Sequence, residues 1–336
     1  MIKKRLSILF LILVLLPFSG LAEQAREPAL YTGQVVTLVN LFEQMDDTSP
    51  KVTYVPKGKY VEILEVEPAW LKVRFNEKVG YMKRHLMVDY SVKIVDPSTT
   101  PPYSTVECGW LAWVKTDAPI LAAPDENAKT LITMHEGARL AIIDFDDGWG
   151  RLIYHRQYAY INSNLLSEIM PVNRGEAADY EAPIAAYTSF YKITTDESNL
   201  NRMQNLQVAC DRFGLYTLEL GDKLDFNKHI GPYSRKVGYL PANALVDGET
   251  VQSYGGGTCQ VSSTLYNTIL QLTGVEIIRR RAHGPSAASY LPHGADAAVG
   301  NTTQNLIIRN QYPFPIRIDG TAQDGALTIA IYRAEE

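Results

Sequence analysis

Three consecutive glycines and, one residue later, a cysteine, in Tyr254-Gly-Gly-Gly-Thr-Cys-Gln-Val-Ser-Ser-Thr-Leu-Tyr266, constrain this chain more than any other stretch. Gly255 to Gly257 permit positive φ and a close backbone approach that any side chain would obstruct, so a tight turn is expected. Beyond it Val261, Leu265, Ile269 and Leu272 recur at spacings of four, four and three, the period of a helix with one buried face, and Gly274 is a plausible stop. Cys259 therefore falls in the first turn of a helix, where free backbone N–H groups and the positive end of the helix dipole favour an anion. Thiols at such places, or beside a histidine, titrate at roughly 3.5–7.5 instead of ~8.5, which makes them nucleophiles at neutral pH. The backbone of Gly256, Gly257, Thr258 and Gln260 is the candidate to hold the oxyanion of a tetrahedral intermediate, a role worth roughly 3–4 kcal/mol per donor. A small cysteine packed under a glycine turn is the structural alternative.

The rest of the chain says where such a site would work. Lys3, Lys4 and Arg5 precede an apolar run from Leu6 to Leu16, then Pro17, Gly20 and Ala22. Residues 1–22 thus read as a secretory signal peptide; the run is shorter than the ~20 residues of a membrane span. No cysteine stands at the cleavage site, so a lipid anchor is not suggested. The net charge of −5 becomes −8 once Lys3, Lys4 and Arg5 are removed, a balance that argues against nucleic acid as a partner. Cys108, Cys210 and Cys259 are an odd number in an exported chain, too few for a disulfide scaffold. Cys210 lies on the apolar face of an expected helix with Met203, Leu206 and Phe213. Cys108 precedes Trp110 in a strand-like region, and a Cys108–Cys210 bridge has no support from spacing.

With 336 residues, 46% of them hydrophobic, the chain has room for two or three domains. Pro56-Lys-Gly58, Trp70 and Gly80-Tyr81 are echoed by His135-Glu-Gly137, Trp149 and Ala159-Tyr160, at a constant offset of 79 residues. Short apolar or alternating runs without helical period predict a small all-β barrel for each copy, at 30–90 and 108–168. A linker at 91–107, with Asp96-Pro-Ser-Thr-Thr-Pro-Pro102, separates them, and a second spans 169–186. The spacing resembles tandem bacterial SH3-type domains, which implies cell-wall targeting; the Asn-x-Arg motif usual in their first strand is absent from both copies. Asp144-Phe-Asp-Asp147 reads as an acidic turn, not a metal loop. Trp70 and Trp149 read as core or groove residues.

From 187 to 333 helix and strand signals alternate, giving a mixed α+β domain. Asn199 to Phe213 reads as a helix ended by Gly214. Leu215–Leu220, Val275–Ile278, Asn305–Arg309, Ile316–Ile318 and Leu327–Tyr332 read as strands, with Asp324-Gly325 a hairpin turn. The segment from Arg279 to Asp296 is a Gly- and Pro-containing loop carrying His283, His293 and Asp296, the setting in which catalytic groups are commonly displayed. A histidine brought to Cys259 could take its proton, and a carboxylate could orient the ring. His283 is the first candidate and His293 the second. A metal site of Cys259, His283, His293 and Asp296 lacks tight ligand spacing, so no metal or cofactor is expected.

Asn201-Arg-x-x-Asn205, Asp225-Phe226-Asn227, Gly231-Pro232, the Gly255–Asn267 run, His283, Tyr290-x-Pro-x-Gly-x-Asp-Ala297 and Arg309-Asn310 together resemble the VanW-like family over about residues 187–333. Some of its members are understood to be L,D-transpeptidases that cross-link peptidoglycan through a cysteine acyl-enzyme. The resemblance implies Cys259 as nucleophile, His283 as base and Asp296 as orienting group, with Arg202 and Tyr290 toward the substrate. Helix packing is the alternative role for Arg202. Asn305 replaces a frequent Asp and is expected on a strand surface. The implied partner is peptidoglycan, on the extracytoplasmic side of the cell envelope. A carboxypeptidase using water, or a non-catalytic wall-binding protein, are the alternative functions.

Overall fold

The computed structural model describes residues 26–88, 91–175, 180–246, 249–283 and 289–335. The expected signal peptide lies outside them. No helix among the described residues is long and apolar enough to cross a membrane.

The offset of 79 relates the two N-terminal units strand by strand, except at the last strand of each. The first contains β1 (Tyr31–Gln34), β2 (Val39–Phe42), β3 (Lys51–Val55), β4 (Tyr60–Val66), β5 (Trp70–Phe75), β6 (Lys78–Lys83) and β7 (Lys93–Ile94). They form one curled antiparallel sheet in the order β3-β2-β6-β5-β4-β1-β7. Alternate residues point inward, so Val39, Leu41, Ile63, Leu71, Val73 and Met82 make the core. The second unit has β8 (Trp110–Val114), β9 (Ala118–Leu121), β10 (Thr130–Met134), β11 (Arg139–Ile142), β12 (Asp144–Asp146), β13 (Trp149–Tyr154), β14 (Gln157–Asn162) and β15 (Leu166–Pro171). The order is equivalent but split into β10-β9-β14-β13-β12 and β11-β8-β15. The bulge between Ile63 and Glu65 in the first unit becomes, at the same offset, the break between β11 and β12. None of these three sheets closes through its edge strands among the described residues, so the expected barrels are instead open sheets.

The second unit is not a tethered module. All four residues of β11 are buried, because its outer face packs on the following domain. Ala141 N–H donates to Thr188 Oγ1 at 2.8 Å, Thr328 Oγ1 donates to the Arg139 carbonyl at 2.6 Å, and Arg139 pairs with Asp319 at 2.8 Å. Phe190 and Ala326 complete the core of the second unit.

In the C-terminal domain β16 (Pro183–Phe190) begins before the expected boundary at 187. Then come α1 (Glu197–Phe213), β17 (Thr217–Leu218), β18 (Lys223–Asp225), α2 (Phe226–His229), β19 (Pro241–Val246), β20 (Glu249–Tyr254), α3 (Thr258–Ile269), β21 (Val275–Arg279), β22 (Ile307–Asn310), β23 (Ile316–Gln323) and β24 (Ala326–Arg333). The main sheet runs β16-β24-β23-β17. Every residue of β16 is buried, since α3 covers one side and the second unit the other. Asp196 caps α1 by accepting from Asn199 N–H at 3.0 Å. The buried face of α1 carries Leu206, Ala209, Cys210 and Phe213; a Cβ on Gly320 would meet Cys210 Sγ at 3.0 Å, so that glycine lets helix and sheet touch. Asp324 and Gly325, at φ 51 and 88, make the expected hairpin turn. The strand expected over 215–220 shrinks to two residues, because Leu215 and Leu220 face solvent.

Candidate active site

The glycine run is required by what surrounds it. A Cβ on Gly256 would lie 2.5 Å from the Ala242 carbonyl oxygen, and one on Gly257 would lie 2.8 Å from Arg202 Cγ; Gly257 also has φ 108. Helix α1 holds the turn. Asn205 Nδ2 donates to the Gly256 and Leu240 carbonyls at 3.0 and 2.9 Å, and Asn201 Nδ2 donates to the Pro241 carbonyl at 2.9 Å. The Asn-Arg-x-x-Asn motif is thus a latch on the start of α3.

Three backbone donors are spent inside the turn. Gly256 N–H goes to Ser253 O, Thr258 N–H to Gly255 O and Gln260 N–H to Gly257 O, at 3.2, 3.0 and 2.8 Å. Among the described residues, the N–H groups of this run with no backbone acceptor are those of Gly257 and Cys259. Of the expected donors Gly256, Gly257, Thr258 and Gln260, only Gly257 keeps its N–H clear of a backbone acceptor, and Cys259 N–H joins it. Thr258 is buried and its side chain bonds Tyr233. Gln260 is also buried: its Nε2 donates to Ser189 Oγ at 2.9 Å, and its Oε1 accepts from Arg202 Nη2 at 2.5 Å. It holds Arg202 and also lines the cavity beside it.

The polar face of α3 fixes a distant segment. Ser262 Oγ donates to the Ala297 carbonyl at 2.6 Å, Ala297 N–H donates to Ser263 Oγ at 2.9 Å, and Asn267 Nδ2 donates to the Ala295 carbonyl at 2.7 Å. Asp296 is thereby held against the helix. Its Oδ2 accepts from His283 N–H at 2.7 Å and lies 2.7 Å from His283 Nδ1, while Oδ1 accepts from Arg280 Nη2 at 3.1 Å. Burial pushes the Asp296 pKa up, but the His283 bonds and Arg280 bring it below the usual carboxylate value.

His283 shares the cavity wall with Cys259 and is close enough for the sulfur to act on its pKa. Burial lowers that pKa, yet the bond to Asp296 and the nearby Cys259 outweigh this and raise it to about 10. Cys259 Sγ in turn lies 3.5 Å from both the N–H and the carbonyl of Val299. Cysteine, histidine and aspartate thus stand in line. His293 does not join them. It is buried, stacks on Tyr103 with ring centres 5.6 Å apart, and is driven down to about 3 by burial and by Arg156 and Arg84.

The line opens on a cavity of about 520 Å³ walled by Arg202, Tyr233, Asn243, Tyr290, Asn301 and Gln304. Burial lowers the Arg202 pKa, opposed by nearby Tyr290, Tyr191 and Cys259; no carboxylate pairs with it among the described residues. Burial raises the Tyr290 pKa, and its hydroxyl bonds Ser263. Sequence reasoning missed the hairpin β19–β20, which supplies Asn243 and Ser253; the Asp247-Gly248 dipeptide between two strand-like runs was its signal, though it lies outside the described residues. It also missed the Asn227 latch, whose Oδ1 accepts from Gly300 N–H at 2.9 Å and Tyr233 OH at 3.1 Å. Asn305, expected on a strand surface, is buried: Asn227 N–H donates to its Oδ1, and its Nδ2 donates to Asp225.

Residues 201–332 match the family described as VanW like protein. Residues 201–332 are thus a VanW-like domain by that match, over less than half of the chain. A stretch of 178 residues, 53% of the chain, is 29% identical to the uncharacterized protein YoaR of Bacillus subtilis (strain 168) and covers 54% of it. The chain thus spans about half the length of that curated relative. Solved structures with some similarity include NlpC1 from Trichomonas vaginalis, at TM-score 0.18 and 15% identity over 60% of this chain and 57% of that one. An NlpC/P60 family protein from Bacillus cereus ATCC 10987 has TM-score 0.21 and 13% identity over 90% and 88%. Values this low carry no argument about fold or activity. Asn201, Arg202, Asn205, Cys259, His283 and Asp296 all fall within the VanW-like match.

All three cysteines carry free thiols. No group of histidine, cysteine and acidic residues suited to a metal occurs among the described residues.

Proposed function

We propose that the VanW-like domain is a cysteine acyltransferase of the L,D-transpeptidase type, acting on peptidoglycan stem peptides in an exported, cell-wall-associated protein. The observation that carries this reading is the Cys259–His283–Asp296 line on the wall of an open cavity.

The Cys259 thiolate attacks the carbonyl carbon of the third stem residue. The Gly257 and Cys259 N–H groups receive the developing oxyanion. The carbon–nitrogen bond to the terminal D-alanine breaks, and His283, protonated up to about pH 10, gives its proton to the departing amine. A second stem's amine then attacks the thioester, its proton passes to His283, and the sulfur leaves as thiolate. Asp296 keeps the ring oriented throughout, as the third group of a catalytic triad does. Arg202, aimed by Gln260, pairs with the terminal carboxylate of the donor peptide.

Water as acceptor makes the same site a carboxypeptidase. The sheets of the two N-terminal units serve as SH3-like wall-targeting surfaces and raise the local concentration of substrate.

Incubation of the purified protein with tetrapeptide-stem muropeptides, followed by mass spectrometry, tests the proposal. It expects a Cys259 adduct with loss of D-alanine, then a cross-linked dimer. Unchanged substrate and unmodified Cys259 would leave a non-catalytic wall-binding protein as the reading.

A further inference from the structure

The two N-terminal units differ at one place that their shared register makes directly comparable. Trp70 stands opposite Lys83 on β5 and β6, and Trp149 stands opposite Asn162 on β13 and β14, at the same offset. In the first unit the Lys83 ammonium lies 3.9 Å from the Trp70 ring centre and 3.1 Å from the Asp47 carboxylate. Phe42 packs edge-on against the indole at 6.3 Å, and Trp70 is only 8% exposed. This site is filled from within.

The second unit lacks both parts of the plug. Leu121 stands where the first unit has Phe42, each opposite the equivalent tyrosine. Asn162 turns its side chain away, accepting from Asn164 N–H at 3.0 Å to cap the following turn. Trp149 is left half-buried on the wall of a cavity of about 520 Å³, with Asp144, Asp146, Asp147, Arg151 and Tyr160 around it. Arg151 donates from Nε to Asp144 at 3.0 Å, so its charge is spent on that carboxylate. Asp146 and Asp147 remain, and the cavity has a net negative lining beside an indole face.

We propose that this cavity binds a primary ammonium carried on a flexible side chain of a peptide, in the place that Lys83 occupies in the first unit. The chemistry is that of the internal plug: an ammonium is drawn to the indole face and to a carboxylate, while its aliphatic stem lies on the aromatic wall. A neutral amide of the same length gains neither charge contact. The first unit, already occupied by its own lysine, does not compete. This inference is separate from acyl transfer at Cys259, because its readouts are tryptophan signals of the two N-terminal units.

The test uses the full chain labelled with ¹⁵N-tryptophan, with the Trp149 indole signal assigned through Trp149→Phe. Nα-acetyl-lysine methylamide is titrated in, and its Nε-acetylated form is the control. The expected result is a saturable shift of the Trp149 signal, about tenfold weaker for the acetylated probe. Asn162→Lys, which restores the plug, abolishes the shift, and Asp146→Asn with Asp147→Asn weakens it several-fold. Lys83→Ala opens the first unit, so that the Trp70 signal begins to respond. An equal response to the acetylated probe, or full binding in Asn162→Lys, would overturn the proposal.

Discussion

Helices α1 and α3 pack against each other in the VanW-like domain, and each carries a cysteine. Cys210 sits on the inner face of the last turn of α1, sealed between Leu206, Phe213 and the backbone of Gly320, and burial pushes its thiol far up. Cys108, under the same sheet, is pushed up to about 12 by burial. Cys259 sits in the first turn of α3, half-buried, with an imidazole nearby and a backbone N–H on its sulfur. The side chain is the same in each case; what differs is where it points and the partner it meets. A core-facing position offers a thiol only hydrocarbon, whereas a helix start offers unspent donors and a way out to solvent.

The sharpest way to break this contrast is Cys259→Ala, which should lower acyl transfer by at least ~10⁴-fold while the fold persists. In the native protein, iodoacetamide should label Cys259 at neutral pH and spare Cys108 and Cys210, as peptide mass spectrometry would reveal. Equal labelling of all three would erase the distinction.

Asp296→Asn should come next, with a loss of about 10³-fold in kcat, because the imidazole loses its orienting partner. The same change should lower the His283 pKa, measurable by NMR titration. A kcat unaltered by the substitution would remove Asp296 from the line.

Arg202→Met is expected to raise KM for a stem peptide ending in a free carboxylate by roughly tenfold to a hundredfold, with little effect on an amidated one. Equal losses on both peptides would reduce Arg202 to packing.

The His283 contribution to stability sharpens the contrast through pH. Folded, the ring keeps its proton to about pH 10, whereas an unfolded histidine releases it near ~6.5. The contribution is complete below ~6.5 and is lost as pH rises toward 10. The Tm advantage of the wild type over His283→Gln should therefore shrink across that window, and acylation should fall on the alkaline side as the proton donor is lost.

Cys210→Ala is the smallest effect: roughly 1–2 kcal/mol of stability by denaturant titration, from a small void beside Gly320, and unaltered activity.

Local rules made much of this legible. The spacing of Val261, Leu265 and Ile269 located α3, and the glycines located its start, because helical period and backbone sterics act over a few residues. Asp324-Gly325 located the last hairpin for the same reason. The alternation in the N-terminal units revealed strands and their repetition, but not that β11 would be buried on both faces, since that depends on a domain docking there. The Asn-Arg-x-x-Asn motif was visible as a pattern, yet its purpose as a latch on Pro241, Leu240 and Gly256 lies between elements distant in sequence.

By itself, then, the sequence determined the helix, its glycine entry, the cysteine in its first turn and the two related β units, all consequences of contacts between near neighbours in the chain. Tertiary structure alone set which of the two histidines stands beside Asp296. His283 and His293 share one loop and one residue type, but Ser262, Ser263 and Asn267 grip the backbone from Ala295 to Ala297 and so set Asp296 beside His283. Tyr103, arriving from the segment between the two β units, buries His293 instead. Which ring shares the cavity wall with the sulfur is a matter of packing across more than a hundred residues of chain, where no local periodicity operates.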